Sequence, residues 1–199
     1  QKFNLSTTYN RQEYIVSRLR AGVTLYFRIS KEEIRLAAIN TFNKWLTILD
    51  PKTFECYRRN DDSGNGEYTT PYKHFNNAAN KRIGTYLSKS AKNDTDCRGV
   101  KLFYLEPSAS KARDWTVENH APLTLLDIDL LHPGCSGYSF EPSCLHTLFD
   151  PKEMENNSTF WLDVVIKACE HIPVQFGIVG HVLATGGENL INDKKIPML

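Results

Sequence analysis

No apolar run in this 199-residue chain reaches the length that a helix needs to cross a bilayer, roughly 20 residues, so no membrane span is expected. The glycine-rich phosphate signatures G-x-G-x-x-G and G-x-x-x-x-G-K-[ST] are missing, which argues against dinucleotide and P-loop chemistry. The G-x-S-x-G elbow of serine hydrolases is missing too. Neither sign of charge dominates: 24 Lys and Arg stand against 23 Asp and Glu, a net charge of +1. The chain starts at Gln1 with neither an initiating Met nor a signal-peptide pattern. It reads as a processed chain or a piece of a longer one. The five cysteines, Cys56, Cys97, Cys135, Cys144 and Cys169, are odd in number and scattered. That spacing argues against a full disulfide framework and for a reducing, intracellular setting (nuclear, cytoplasmic or viral), with secretion left open.

What is present supports a core. Hydrophobic residues make up 41% and aromatics 11%, which argues against disorder and for a single domain over 1–199. Residues 13–16 and 23–29 read as two strands. Val23, Leu25, Phe27 and Ile29 alternate with Thr24, Tyr26 and Arg28. Arg18, Arg20 and Gly22 suit a hairpin turn between them. Ser30-Lys31-Glu32-Glu33 is a capping-box pattern, and Ile34, Ala38, Phe42, Trp45 and Leu49 follow at helical spacing until Asp50-Pro51. A helix over 78–87, strands at 100–105 and 123–131, a loop over 132–144, a helix over 160–171 and a strand over 174–185 complete the pattern. The expected fold is α+β: a mixed sheet flanked by helices, with a Cys/His-containing loop insertion. Asp50-Pro51-Lys52 recurs at Asp150-Pro151-Lys152, but the likeness goes no further, so these are two similar turns and not a duplication.

The stretch LTLLDIDLL (123–131) puts two carboxylates into an apolar strand. Side chains alternate along a strand, so Asp127 and Asp129 point to one face, about 6–7 Å apart at the backbone. Such a pair repels unless a cation lies between. Two-metal phosphoryl and nucleotidyl transfer use that arrangement; a wet outer face is the plain alternative. His181 follows in a later apolar strand, with Gly180 before it, where something could approach the backbone closely. Residues 1–35 carry seven cations against three anions, a local +4. Arg18, Arg20 and Arg28 there are candidates for a phosphate-facing surface.

Leu125-Leu126-Asp127-Ile128-Asp129-Leu130, the helix after it, Val179-Gly180-His181 and the early strand pair together resemble the archaeo-eukaryotic primase superfamily. The resemblance implies nucleotidyl transfer on a DNA template in replication. Asp127 and Asp129 would bind Mg²⁺ or Mn²⁺, and His181 would meet the phosphates of the incoming nucleotide. The expected partners are nucleoside triphosphates, single-stranded DNA template and a partner subunit. Val179 stands where that family prefers a small residue, its triphosphate-binding Ser and Arg are replaced by Gln175, Gly177 and Ile178, and Asp193 is the sole late aspartate.

His132, Cys135, Cys144 and His146, spaced H-x2-C-x8-C-x-H, form a candidate zinc loop over 132–146. A Cys135–Cys144 disulfide or buried thiols are the alternatives. Two further readings use the same residues. One is a non-catalytic binding or assembly domain, viral or host-interacting, with the Cys/His cluster as a structural staple. The other is a cysteine hydrolase in which Cys144, at a helix start, works with His181 and Asn189 or Asp193.

Overall fold

The computed structural model describes residues 4–9, 12–60, 72–89, 97–105, 120–131 and 142–185. Eight strands form one sheet. They are β1 (Asn4–Tyr9), β2 (Gln12–Phe27), β3 (Cys56–Arg59), β4 (Lys73–His74), β5 (Arg98–Tyr104), β6 (Thr124–Leu130), β7 (Ser143–Phe149) and β8 (Val174–Thr185). Among the described residues four α-helices join them: α1 (Glu32–Ile48), α2 (Asn77–Ser88), α3 (Pro151–Asn156) and α4 (Ser158–Cys169). The fold is α+β, as the element pattern implies. Every pairing among the described strands is antiparallel, so the sheet is not mixed in direction.

The sheet runs β1-β2-β7-β6-β5-β3-β4, with β8 on β2. Ser17 and Arg18 pair with both β1 and β8, and Ala21–Phe27 pair with both β7 and β8. A backbone can serve two neighbours at one position only from opposite edges. Therefore β8 runs along one edge of β2, while β1 and β7 share the other.

One sheet face carries the core. Val23, Leu25 and Phe27 of β2, Leu126, Ile128 and Leu130 of β6, and Leu145 and Phe149 of β7 pack there with Ala38, Phe42 and Trp45 of α1, Ile83 and Leu87 of α2, and Trp161 and Ala168 of α4. Trp161 stacks on Phe149 with ring centroids 3.9 Å apart. Each such side chain gives about 1.5–3 kcal/mol on burial, which is why the apolar period sets the face.

Three local expectations change. No hairpin turn interrupts 12–27. Gly22 lies inside one continuous strand, because a Cβ there would sit 3.0 Å from both Leu148 Cδ2 and Val182 Cγ2 and 3.1 Å from the Thr147 carbonyl. The Ser30 capping box is not made: α1 starts after Lys31, which makes no side-chain cap, and Glu32 pairs with Arg35 one turn on. The 132–144 loop ends at β7, since Ser143 extends the ladder. Its Oγ accepts from Leu131 N at 2.9 Å and donates to Leu131 O at 3.2 Å. The two Asp-Pro-Lys turns share one contact: Asp50 and Asp150 each accept from the backbone N of the lysine two residues on, at 3.0 Å.

Candidate functional site

The second face of the sheet carries the acids. Directly opposed residues of an antiparallel pair share a face, and the register therefore lines up Arg58, Lys101, Asp127, His146, Thr24 and Ile178 across six strands. The next row is Gly99, Asp129, Cys144, Tyr26 and Phe176. Asp127 and Asp129 thus project together, as alternation requires.

Asp127 is buried, and its Oδ2 lies 3.7 Å from the Lys101 ammonium. His146 Nδ1 and Thr24 Oγ1 are 2.7 Å apart. Desolvation, then Lys101, pushes the His146 imidazole down to about 4, against a hydrogen bond with the Val23 backbone. It is neutral at pH 7. Cys144 lies between the aspartates and Tyr26. Burial and then the Asp127 and Asp129 charges push its thiol well above the usual range. Tyr26 stacks on Phe176 with centroids 5.9 Å apart, so the polar rows run out onto apolar β8.

The histidine beside the acids is His146, not His181. His181 pairs with Ala21, three positions along β8 from the Ile178 row. Three inter-strand steps and three residues put it about 17 Å from Asp127 at the backbone. Its position has the opposite parity, so it points to the helix-bearing face, where its Nε2 lies 3.7 Å from Glu155. Gly180 is a glycine for its backbone: φ is +153°, and no atom lies within 4 Å of a Cβ placed there. No described residue approaches it closely on that side.

Two of the three N-terminal arginine candidates do not lie on the surface. Arg18 and Arg20 are buried, at 3% and 8% exposure, and of the three candidates only Arg28 is exposed. Burial lowers the Arg20 pKa, opposed by Asp150. Cys144 is the second residue of β7 and not at a helix start, and His181 faces away from it, so the cysteine-hydrolase arrangement is not assembled.

Of the candidate zinc ligands, Cys144 and His146 share a face of β7, while His132 and Cys135 lie outside the described residues, as do Asn189 and Asp193. Among the described residues no group of three or more His, Cys, Asp or Glu is placed to hold a metal ion. Cys144 is a free thiol, which removes the Cys135–Cys144 disulfide. Cys97, however, is disulfide-bonded. No helix among the described residues is long and apolar enough to cross a membrane.

No family model and no curated protein matches the chain. Its fold does have a counterpart. The chain is similar to a Pseudomonas aeruginosa T6SS protein of known structure, with a TM-score of 0.64 and 16% sequence identity. The match covers 92% of this chain and 45% of the other, so this chain spans less than half the length of that structure. At such identity the likeness is one of fold.

A concentration of positive charge escaped the sequence reading. Arg58, Arg59, Lys73, Lys81, Arg82 and Lys89 lie on β3, β4 and α2, or just beyond its end, and Glu55 is the one acid in 55–60 and 72–89. Counting charge over 72–89 alone would have found four of them, since that stretch holds no acid.

Proposed function

We propose that this chain is a non-catalytic assembly domain that pairs with a second copy of itself along the open edge of β8. The observation that carries this reading is β8 itself. It is 12 residues long and contains no Lys, Arg, Asp, Glu or Pro, and its one partner among the described strands is β2. Edge strands are ordinarily protected by charge, proline or brevity, and β8 has none of these. Phe176 and Ile178 project from one face, 59% and 47% exposed. Val179 and Leu183 project from the other, 43% and 56% exposed. In a two-fold antiparallel pair each residue meets a residue of the same strand, and like charges opposite one another are penalised. A charge-free strand avoids that penalty in every register. Light scattering on size-exclusion fractions tests the reading. The wild type should elute as a dimer, and Ile178→Lys or Phe176→Lys as a monomer. A monomeric wild type at about 100 µM, a concentration well above micromolar affinity, defeats it, and so does a dimer indifferent to both changes.

A second reading, primase-like nucleotidyl transfer with Mg²⁺ or Mn²⁺, is favoured by one observation: Asp127 and Asp129 project from β6 on the same face. The metal does not fit well there. Lys101 already neutralises Asp127, and the described residues form no cage. Calorimetry with a nucleoside triphosphate and Mn²⁺ separates the readings. Saturable binding lost in Asp127→Asn supports the enzyme, and the absence of heat removes it.

A further inference from the structure

We propose that the cavity between α2 and β3 is a binding site for a compact polyanion, a ligand carrying several phosphates close together. The cavity has a volume of about 330 Å³ and is lined by Arg59, Lys73, Lys81, Arg82 and Lys89, with Tyr57 and Tyr86 at its base. No carboxylate is among its described lining residues. Lys73, Lys81, Arg82 and Lys89 are exposed and make no ion pair among the described residues.

Lys81 and Thr85 stand four residues apart on α2, so they share one helical face, and Lys89 follows as the residue that ends the helix. That face looks onto the β3 end, where Arg59 leans over the Tyr86 ring, 4.6 Å from its centroid. Lys73, Lys81, Arg82 and Lys89, with no acid among the described lining residues, repel one another and cost stability. An anion in their midst reverses the sign of that energy.

The base of the cavity is built rigidly. Tyr86 OH donates to Asn60 Oδ1, which also accepts from Gly99 N at 2.6 Å. Arg98 Nη1 donates to Tyr86 O and Lys89 O, both at 2.7 Å, and so holds the end of α2 on the sheet. Lys81 and Arg82 are therefore carried by a fixed helix, with Lys89 held at its end. This is the preorganisation that charge-assisted contacts with phosphate oxygens reward.

The shape points to a compact ligand and away from a nucleic-acid strand. Single-stranded nucleic acid is held by bases stacked on open aromatic faces. Here Tyr57 and Tyr86 are buried at 5% and 2% exposure, and Arg59 and Arg98 flank Tyr86. What the cavity offers outward is charge and the Thr85 hydroxyl. The cations ring one concavity instead of following a line.

Calorimetric titration of the whole chain with inorganic tripolyphosphate tests the site, with orthophosphate and a short duplex DNA as comparison ligands. One-to-one binding of tripolyphosphate is expected, weakening as salt rises. The double variant Lys81→Gln/Arg82→Gln should bind about tenfold more weakly or worse, as the loss of two charge-assisted contacts implies. Lys44→Gln/Lys152→Gln, which removes equal charge from exposed positions elsewhere, should bind like the wild type. No tripolyphosphate binding overturns the proposal. Equal loss in both double variants also overturns it, because the attraction would then be one of net charge. DNA binding tighter than tripolyphosphate, and lost in Lys81→Gln/Arg82→Gln, would replace the compact ligand with a nucleic acid.

Discussion

Replacing Asn60 with alanine should cost about 2–4 kcal/mol, more than most single substitutions in a domain of this size. Asn60 is 2% exposed. Its Oδ1 accepts from Tyr86 OH and Gly99 N, and its Nδ2 donates to Cys97 O at 3.1 Å. Alanine keeps the backbone bond from Asn60 N to Gly99 O at 3.1 Å and the one from Tyr86 OH to Asn60 O at 3.3 Å, but it removes the buried bonds to Gly99 N and Cys97 O. Each orphaned group costs about 1–3 kcal/mol. The lower half of that range is appropriate because a water can enter and partly restore one contact. Tyr86→Phe is the inner control. It removes one hydroxyl while Asn60 Oδ1 keeps Gly99, so about 1 kcal/mol should go. Urea unfolding followed by fluorescence of the buried Trp45 and Trp161 gives both numbers. A loss below 1 kcal/mol for Asn60→Ala, with the slope in urea unchanged, would refute the claim that this side chain ties α2 to β3 and β5.

Three further outcomes follow from the same coordinates. Gly22→Val should destabilise by about 1–3 kcal/mol through overpacking against Leu148, Val182 and the Thr147 carbonyl; equal urea midpoints for variant and wild type would contradict it. Stability should fall as pH drops from about 6.5 towards 4, because the unfolded chain protonates His146 while the folded ring, held down to about 4, stays neutral. The full effect is about 3 kcal/mol, flattening below pH 4, and His146→Gln should remove that part of the pH profile. Iodoacetamide should label Cys169, which is exposed, well before Cys144, whose thiol is held protonated by burial and the neighbouring acids; mass spectrometry that finds Cys144 modified first would show an activated thiolate instead.

Local pattern carried some of this structure and not the rest. The stripe Ala38–Phe42–Trp45 and the alternation in Thr124–Leu130 were legible because helix and strand periods are properties of neighbours in sequence. The continuity of β2 was not, because Gly22 and two arginines look like a turn until one knows that Leu148 and Val182 crowd that position from the flanking strands. The pairing of Asp127 with Lys101 and His146 was hidden for the same reason: which strands become neighbours is decided by the whole topology. His181 carried the better motif context, but the strand that bears it stands three places away. Likewise the balanced total charge of +1 conceals the cationic α2 face, since most of the acids lie elsewhere in the chain.

The long second strand sets a timetable for folding. Its Ser17 hydroxyl donates to the Ala184 carbonyl, a bond that closes a loop of 167 residues. Contacts that distant come late in folding. A nascent chain leaving the ribosome would carry β2 with one rail bare until nearly all of the sequence shown here has emerged. Any fragment that stops before Val174 would keep that rail bare permanently and be prone to stick to its own kind.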